Sequence, residues 1–186
     1  MNLFEKFQLG LNYTAFLERY ATDDQKRRWD DVQARVALTL PQRELLAAFR
    51  REMNVLCLAG AWCGDCIQQC PVFEHFAAAA PVIRVRYLDR DEHGDVQEKL
   101  RLNGGRRVPV VVFLSEDGWE VSRYGDRTLS AYRRMMQSAL AAECPGSWPP
   151  SGESVLALAT QEWLNEFERA QWMLRLSPRL RQRHAD

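Results

Sequence analysis

Apolar positions recur at helical spacing through the first fifty residues, then switch to short continuous runs. Tyr13, Phe16, Leu17 and Tyr20 follow the i, i+3, i+4, i+7 pattern that lines one helix face. Thr22-Asp23-Asp24-Gln25 reads as a capping box, in which a threonine hydroxyl meets a free N–H and the glutamine reaches back. Trp29, Val32 and Val36 supply the stripe of the helix that follows. Pro41 suits the first turn of another helix, where its missing N–H costs nothing. Leu45, Leu46, Phe49 and Met53 are expected to continue that helix's inner face.

The middle of the chain alternates strand and helix. Val55 to Ala59 is a short apolar run, as a strand buried on both faces should be. A helix is expected from about Gly64 to Ala79, with Pro71 inside it removing one hydrogen bond and kinking it. Val82 to Leu88 reads as a second strand. Val96, Leu100 and Leu102 suggest a short helix stopped by Asn103-Gly104-Gly105. Val108 to Leu114 reads as a third strand, and Glu116-Asp117-Gly118 as a hairpin turn into a fourth from Trp119 to Tyr124. Thr128 is a candidate cap for a helix carrying Leu129, Tyr132, Met136 and Leu140 on one face. Cys144 to Gly152 is a loop by composition. Beyond it Leu156, Trp163, Phe167 and Leu174 line one long helix packed on the core, its stripe widened by Trp172 and Met173. The basic end (Arg175, Arg179, Arg181, Arg183) reads as a solvated tail.

Composition narrows the function classes. Twenty-five basic and 25 acidic residues give a formal net charge of zero, which argues against a dedicated nucleic-acid binder. No stretch approaches the length of an apolar membrane span, so no membrane partner is expected. The N-terminus lacks the pattern of a signal peptide, which points to the cytoplasm. In that compartment the five cysteines are expected to be free, catalytic or metal-bound rather than structural staples.

The chemistry concentrates in Trp62-Cys63-Gly64-Asp65-Cys66, at a strand-to-helix junction. Unpaired N–H groups of a first helical turn favour a thiolate at Cys63. Cys66, one turn on, is expected to be more buried and suited to resolve a mixed disulfide. Asp65 sets a carboxylate beside both thiols; its field opposes thiolate formation, and it is a candidate proton acceptor for Cys66. A zinc site would need two more ligands, and His75, His93 and His184 form no ligand-spaced pair. An iron–sulfur or other metal site on Cys63, Cys66 and Cys70 lacks an evident fourth ligand. Disulfide exchange by such a pair needs no metal or organic cofactor, and none is expected. Cys70 reads as a small buried apolar residue or a third redox thiol, Cys57 as strand packing and Cys144 as a spectator. Arg106 and Arg107 read as a solvated loop or as a grip for anionic substrates.

Residues 55 to 142 resemble thioredoxin. The features that match are the strand, Trp62-Cys63-Gly64-Asp65-Cys66, the helix with Pro71, the Val108-Pro109 step and Gly125 after the last strand. The resemblance implies an α/β thioredoxin-like fold, with a central mixed four-stranded sheet flanked by helices and added N-terminal and C-terminal helices. It divides the chain into an N-terminal helical extension (1–53), a thioredoxin-like domain (54–143), a loop (144–153) and a C-terminal helix with basic tail (154–186). It implies that Pro109 is the family's cis-proline and that Trp62, Val108, Pro109 and Gly125 form a docking surface. Two departures stand out: Cys57 occupies the usual buried aspartate position and Tyr87 that of its lysine partner. The implied function is thiol–disulfide oxidoreductase, acting on a disulfide-containing protein or small thiol and re-reduced by an unidentified donor. The alternative is a redox-dependent adaptor whose helical extensions hold one dedicated partner or form a homodimer.

Overall fold

The computed structural model describes residues 1–139 and 154–186. Four short helices come first: α1 (Leu3–Leu9), α2 (Tyr13–Tyr20), α3 (Asp23–Arg35) and α4 (Leu40–Ala47). They are followed by β1 (Met53–Ala59), α5 (Gly64–Ala79), β2 (Ile83–Asp89), α6 (Gly94–Lys99), β3 (Val110–Ser115), β4 (Glu120–Gly125) and α7 (Leu129–Ala139). The chain closes with α8 (Val155–Leu176) and α9 (Pro178–His184). The sheet is mixed, in the order β2-β1-β3-β4. β1 runs parallel to β2 and antiparallel to β3, and β3 is antiparallel to β4. Every residue of β1 is buried, as a central strand covered on both faces requires.

The N-terminal helices pack on the sheet through aromatic residues. Tyr13 and Phe16 of α2 meet Tyr87 of β2, with ring centroids 6.0 and 5.5 Å apart, and both also contact Trp29 of α3. Leu11 exchanges two backbone hydrogen bonds with Tyr87 (2.8 and 2.9 Å) and so covers part of β2's free edge. The predicted capping box of α3 is present, with Thr22 and Gln25 bonded in both directions. At the other end, Phe167 of α8 lies edge-on to Phe76 of α5 and Phe113 of β3, each at 5.0 Å.

Several elements depart from the sequence pattern. Phe49 and Met53 do not extend α4: the helix stops at Ala47, and Met53 opens β1. The cause lies far away in the chain. Gln171 of α8 accepts from the N–H groups of Arg50 and Arg51 (3.1 and 2.8 Å) and donates to the Arg51 carbonyl, so this non-helical stretch keeps its backbone bonds. Leu102 falls outside α6 and bridges to Gly105 around the Asn103-Gly104 turn, where both residues take positive φ. Val108 and Pro109 precede β3 rather than open it. Thr128 partners the Ser130 hydroxyl (3.0 Å), while the Glu162 carboxylate of α8 accepts the Ser130 N–H (3.0 and 3.1 Å) at the start of α7. Leu129, Tyr132 and Met136 of α7 are exposed, as are Met173 and Trp172 of α8, although Trp172 still lies edge-on to Phe49 at 6.1 Å; Leu140 and Cys144 lie outside the described residues. The basic end is no solvated tail. Pro178 starts α9, whose Arg179 and Arg183 pair with Asp117 and Glu116 of the β3–β4 turn, as does His184 with Glu116. Among the described residues no helix is long and apolar enough to cross a membrane.

Candidate functional site

Cys63 is the N-cap of α5 and Cys66 lies in its first turn. β1 delivers the chain to this point, and the turn Gly60-Ala61-Trp62 reverses it. At Gly60 a Cβ would meet the Trp62 ring at 2.9–3.1 Å, so a side chain there would displace that ring. Its N–H reaches Cys66 Sγ at 3.5 Å. Trp29 of α3 fixes the same turn by donating from Nε1 to the Ala61 carbonyl (2.9 Å). Cys63 is 8% exposed and Cys66 fully buried, so the two sulfurs differ in access as the sequence suggests. All four described cysteines are free thiols.

Opposite the thiols stands the Val108-Pro109 step, which is cis. Cys63 Sγ faces the Val108 carbonyl at 3.6 Å. Gly125, at the end of β4, pairs with Val110 in the sheet. Its φ of +154° and its approach to Pro109 admit no side chain, since a Cβ would meet the Pro109 carbonyl oxygen at 2.5 Å. The following Gly125-Asp126 bond is also cis. Trp62 is 45% exposed, with the Arg90 guanidinium 4.5 Å above its ring and its Nε1 donating to Asp91 (3.3 Å). The seven residues Trp62, Cys63, Asp65, Cys66, Val108, Pro109 and Gly125 thus lie on three neighbouring elements: the turn into α5 with its first turn, the lead into β3, and the end of β4.

The two thiols share one proton-accepting system. Burial opposes charge on Cys66, but hydrogen bonds from the Cys63 and Cys70 thiols and the Gly60 N–H bring it down to about 5. Cys63, engaged by that same hydrogen bond and partly buried, is pushed up in return. The N–H groups of Cys66 and Asp65 favour charge on Cys63, although none closes a capping hydrogen bond. Such a pair titrates as a unit: the first proton leaves below the ordinary thiol range and the second above it. A single thiolate charge is therefore held between a fully buried sulfur and that of a residue only 8% exposed.

Asp65 is not free beside the thiols. Arg127, in the loop after β4, grips it at two points, Nε to Oδ1 at 3.0 Å and a second guanidinium nitrogen to Oδ2 at 2.6 Å. The carboxylate still raises Cys66 electrostatically, as its position predicts, but with a guanidinium beside it. Arg127 also approaches Asp126 (3.6 Å), whose carboxylate is bonded by Tyr132 and faces Arg107 at 3.6 Å. Arg106 is exposed and lies 3.6 Å from Glu98. The Asp126 and Asp65 carbonyls are tied together by Gln69 of α5, which donates to both (3.0 and 3.2 Å) and accepts from Trp163 Nε1 of α8 (2.9 Å).

Cys57 and Tyr87 face one another in the pairing of β1 with β2. Tyr87 is fully buried and donates to Glu74 of α5 (2.9 Å). Burial pushes the Glu74 carboxyl up, partly offset by that hydrogen bond. Arg127, Gln69 and Glu74 carry no sequence signal of these roles, and Trp29 and Trp163 are legible in the sequence only as apolar stripe residues of their helices. Among the described residues no group of three or more His, Cys, Asp or Glu side chains is gathered to hold a metal ion.

A dithiol at the first turn of a helix, facing a cis-proline step across a mixed four-stranded sheet, is the site of a thioredoxin-like protein. The family model described as Thioredoxin matches residues 10–140, and the chain belongs to that family. No curated protein matches the chain. Two solved structures share its fold over nearly the whole length. One is a protein of unknown function from Pseudomonas aeruginosa, PA1234, at 18% identity, TM-score 0.62, covering 92% of this chain and 93% of that one. The other is an HIV epitope scaffold at 17% identity, TM-score 0.64, covering 92% and 94%. With coverage above nine-tenths on both sides, the shared fold takes in terminal helices as well as the sheet.

Proposed function

We propose that this protein is a thiol–disulfide oxidoreductase in which Cys63 attacks and Cys66 resolves. The observation that carries the reading is the pair itself: two free thiols at the start of α5, Cys63 8% exposed at the N-cap facing the Val108 carbonyl and Cys66 fully buried behind it. Cys63 takes the charge by passing its proton to Cys66, then attacks one sulfur of a partner disulfide. A mixed disulfide forms and the partner's other sulfur leaves as a thiolate. Cys66 then attacks Cys63 Sγ, the mixed disulfide breaks, and the second partner sulfur departs. The partner gains two electrons, with one proton from Cys66 and the second from water because the pair starts with a single proton, and a Cys63–Cys66 disulfide remains for an external thiol donor to reduce.

Substrate docking follows from the same geometry. Because Cys63 Sγ faces the Val108 carbonyl, an extended segment bonding to the Val108 backbone would bring its disulfide onto Cys63. Trp62 supplies an exposed aromatic wall, and Gly125, without a side chain, lets β4 lie close against the Pro109 backbone. The substrates in this reading are disulfide-bearing proteins or small disulfides, and the compartment is a reducing one such as the cytoplasm. The test is the reduction of a protein disulfide by dithiothreitol, with and without the protein. Acceleration that disappears in Cys63→Ser supports the reading, and a wild-type protein that gives none refutes it.

A further inference from the structure

The dithiol at the surface is backed by a second pair of thiols. Cys57 lies in the middle of β1 and Cys70 one helical turn beyond Cys66 on α5; both are fully buried. Their sulfurs are 3.8 Å apart across the sheet–helix interface. Cys70 follows Cys66 by four residues on α5, so the two side chains share one helix face, and each thiol shifts the ionisation of the other. The helix spacing and the Cys57–Cys70 contact thus place the four cysteines in the order Cys63, Cys66, Cys70, Cys57, from the N-cap of α5 to the middle of β1. On α5 the spacing of three and then four residues sets Cys63 on the N-terminal side of Cys66 and Cys70 on its C-terminal side. That order suits exchange, in which the incoming sulfur and the departing one lie on opposite sides of the sulfur attacked.

We propose that Cys57 and Cys70 form a second, internal dithiol/disulfide couple that exchanges with Cys63–Cys66 through the buried sulfur of Cys66. The inference rests on the oxidoreductase reading, since the Cys63–Cys66 disulfide is the oxidant. In the first step Cys70 attacks Cys66 Sγ. The Cys66–Cys70 bond forms, the Cys63–Cys66 bond breaks, and Cys63 departs with the electron pair and receives the proton that Cys70 gives up. In the second step Cys57 attacks Cys70 Sγ. The Cys57–Cys70 bond forms, the Cys66–Cys70 bond breaks, and Cys66 leaves towards the Gly60 N–H with the proton from Cys57. The core pair has lost two electrons and two protons, and the surface dithiol is reduced again. Closing the core bond asks the two sulfurs to approach by about 1.8 Å from their 3.8 Å contact. Cys57 and Cys70 have no exposed surface, which makes Cys66 the entry to the couple in this reading.

The full-length protein is equilibrated across ratios of oxidised to reduced glutathione, quenched in acid, unfolded, alkylated and mapped peptide by peptide. Cys57 and Cys70 are expected to lose alkylation together, as one disulfide, in addition to Cys63 and Cys66. Cys57→Ala should keep the Cys63–Cys66 closure and lose the second pair. Cys66→Ser, checked for an unchanged far-ultraviolet circular dichroism spectrum, should slow oxidation of Cys57 and Cys70 by roughly tenfold or more. If Cys63–Cys66 closes while Cys57 and Cys70 stay fully alkylated at every ratio, the inference is overturned and the oxidoreductase reading stands. Oxidation of the core pair at the wild-type rate in Cys66→Ser overturns the relay. If Cys63 and Cys66 themselves never close, the oxidoreductase reading falls and takes the inference with it.

Discussion

Replacing Trp163 by phenylalanine should loosen the floor of the site from the far end of the chain. Trp163 is fully buried on α8, and its Nε1 supplies the hydrogen bond to Gln69 Oε1 at 2.9 Å. Phenylalanine leaves that buried acceptor without its donor, at a cost of about 1–3 kcal/mol. The indole also lies edge-on to Phe73 (4.7 Å) and Tyr124 (5.0 Å). Such contacts contribute about 0.5–1.5 kcal/mol each, and a smaller ring keeps only part of them. The sum is a loss of about 2–4 kcal/mol. For a chain of this length that lowers Tm by about 5–15 °C. Thermal and urea melts of the reduced protein followed by circular dichroism measure it. A double-mutant cycle with Gln69→Met isolates the pair: the double variant should cost at least ~1 kcal/mol less than the two single costs combined, because the second substitution meets a bond already broken. Gln69 also ties the Asp65 and Asp126 carbonyls, so Trp163→Phe should shift the thiol titration as well. Additive costs, or a Tm change under ~3 °C, would refute the claim that α8 supports the site through Gln69.

Three further outcomes follow from the electrostatics and the caps. Thiolate absorbance at 240 nm should show a first ionisation near pH 5 in the reduced protein and none in the oxidised one. Because that folded value lies below the unfolded one, the stability it confers is complete above about pH 9 and drains as pH falls through about 5. The urea midpoint of the reduced form should therefore fall relative to the oxidised form over that window; parallel midpoints would contradict it. Arg127→Gln should raise the first thiol ionisation by exposing the dithiol to the uncompensated Asp65 charge, and Asp65→Asn should lower it; identical titrations in both variants would show that the ion pair has no influence. Glu162→Gln should weaken the start of α7 by about 1 kcal/mol, read from urea unfolding, since a neutral amide replaces a carboxylate at a helix N-terminus.

What the sequence alone determined was the local part of this protein. The capping box at Thr22, the buried run of β1, the bounds of α5 and the dithiol at its start each depend on residues within one or two turns of one another. Hydrophobic spacing and the N–H groups of a first turn act over that range, so they are legible in the order of residues. The tertiary structure decided the rest. Asp65 looked like a lone carboxylate beside two thiols, and Arg127, 62 positions later, turned it into half of an ion pair. Phe49 and Met53 left the helix that their spacing promised, because Gln171 satisfies the backbone of the linker between them. Two tryptophans from opposite ends of the chain, Trp29 and Trp163, hold the turn before Cys63 and the Gln69 bridge behind it. Cys57 and Cys70 carried no shared meaning in sequence, and the packing of β1 against α5 brought their sulfurs into contact. Each of these depends on one hydrogen bond, ion pair or van der Waals contact between distant residues, and such partners are chosen only when the helices and the sheet close on a common core.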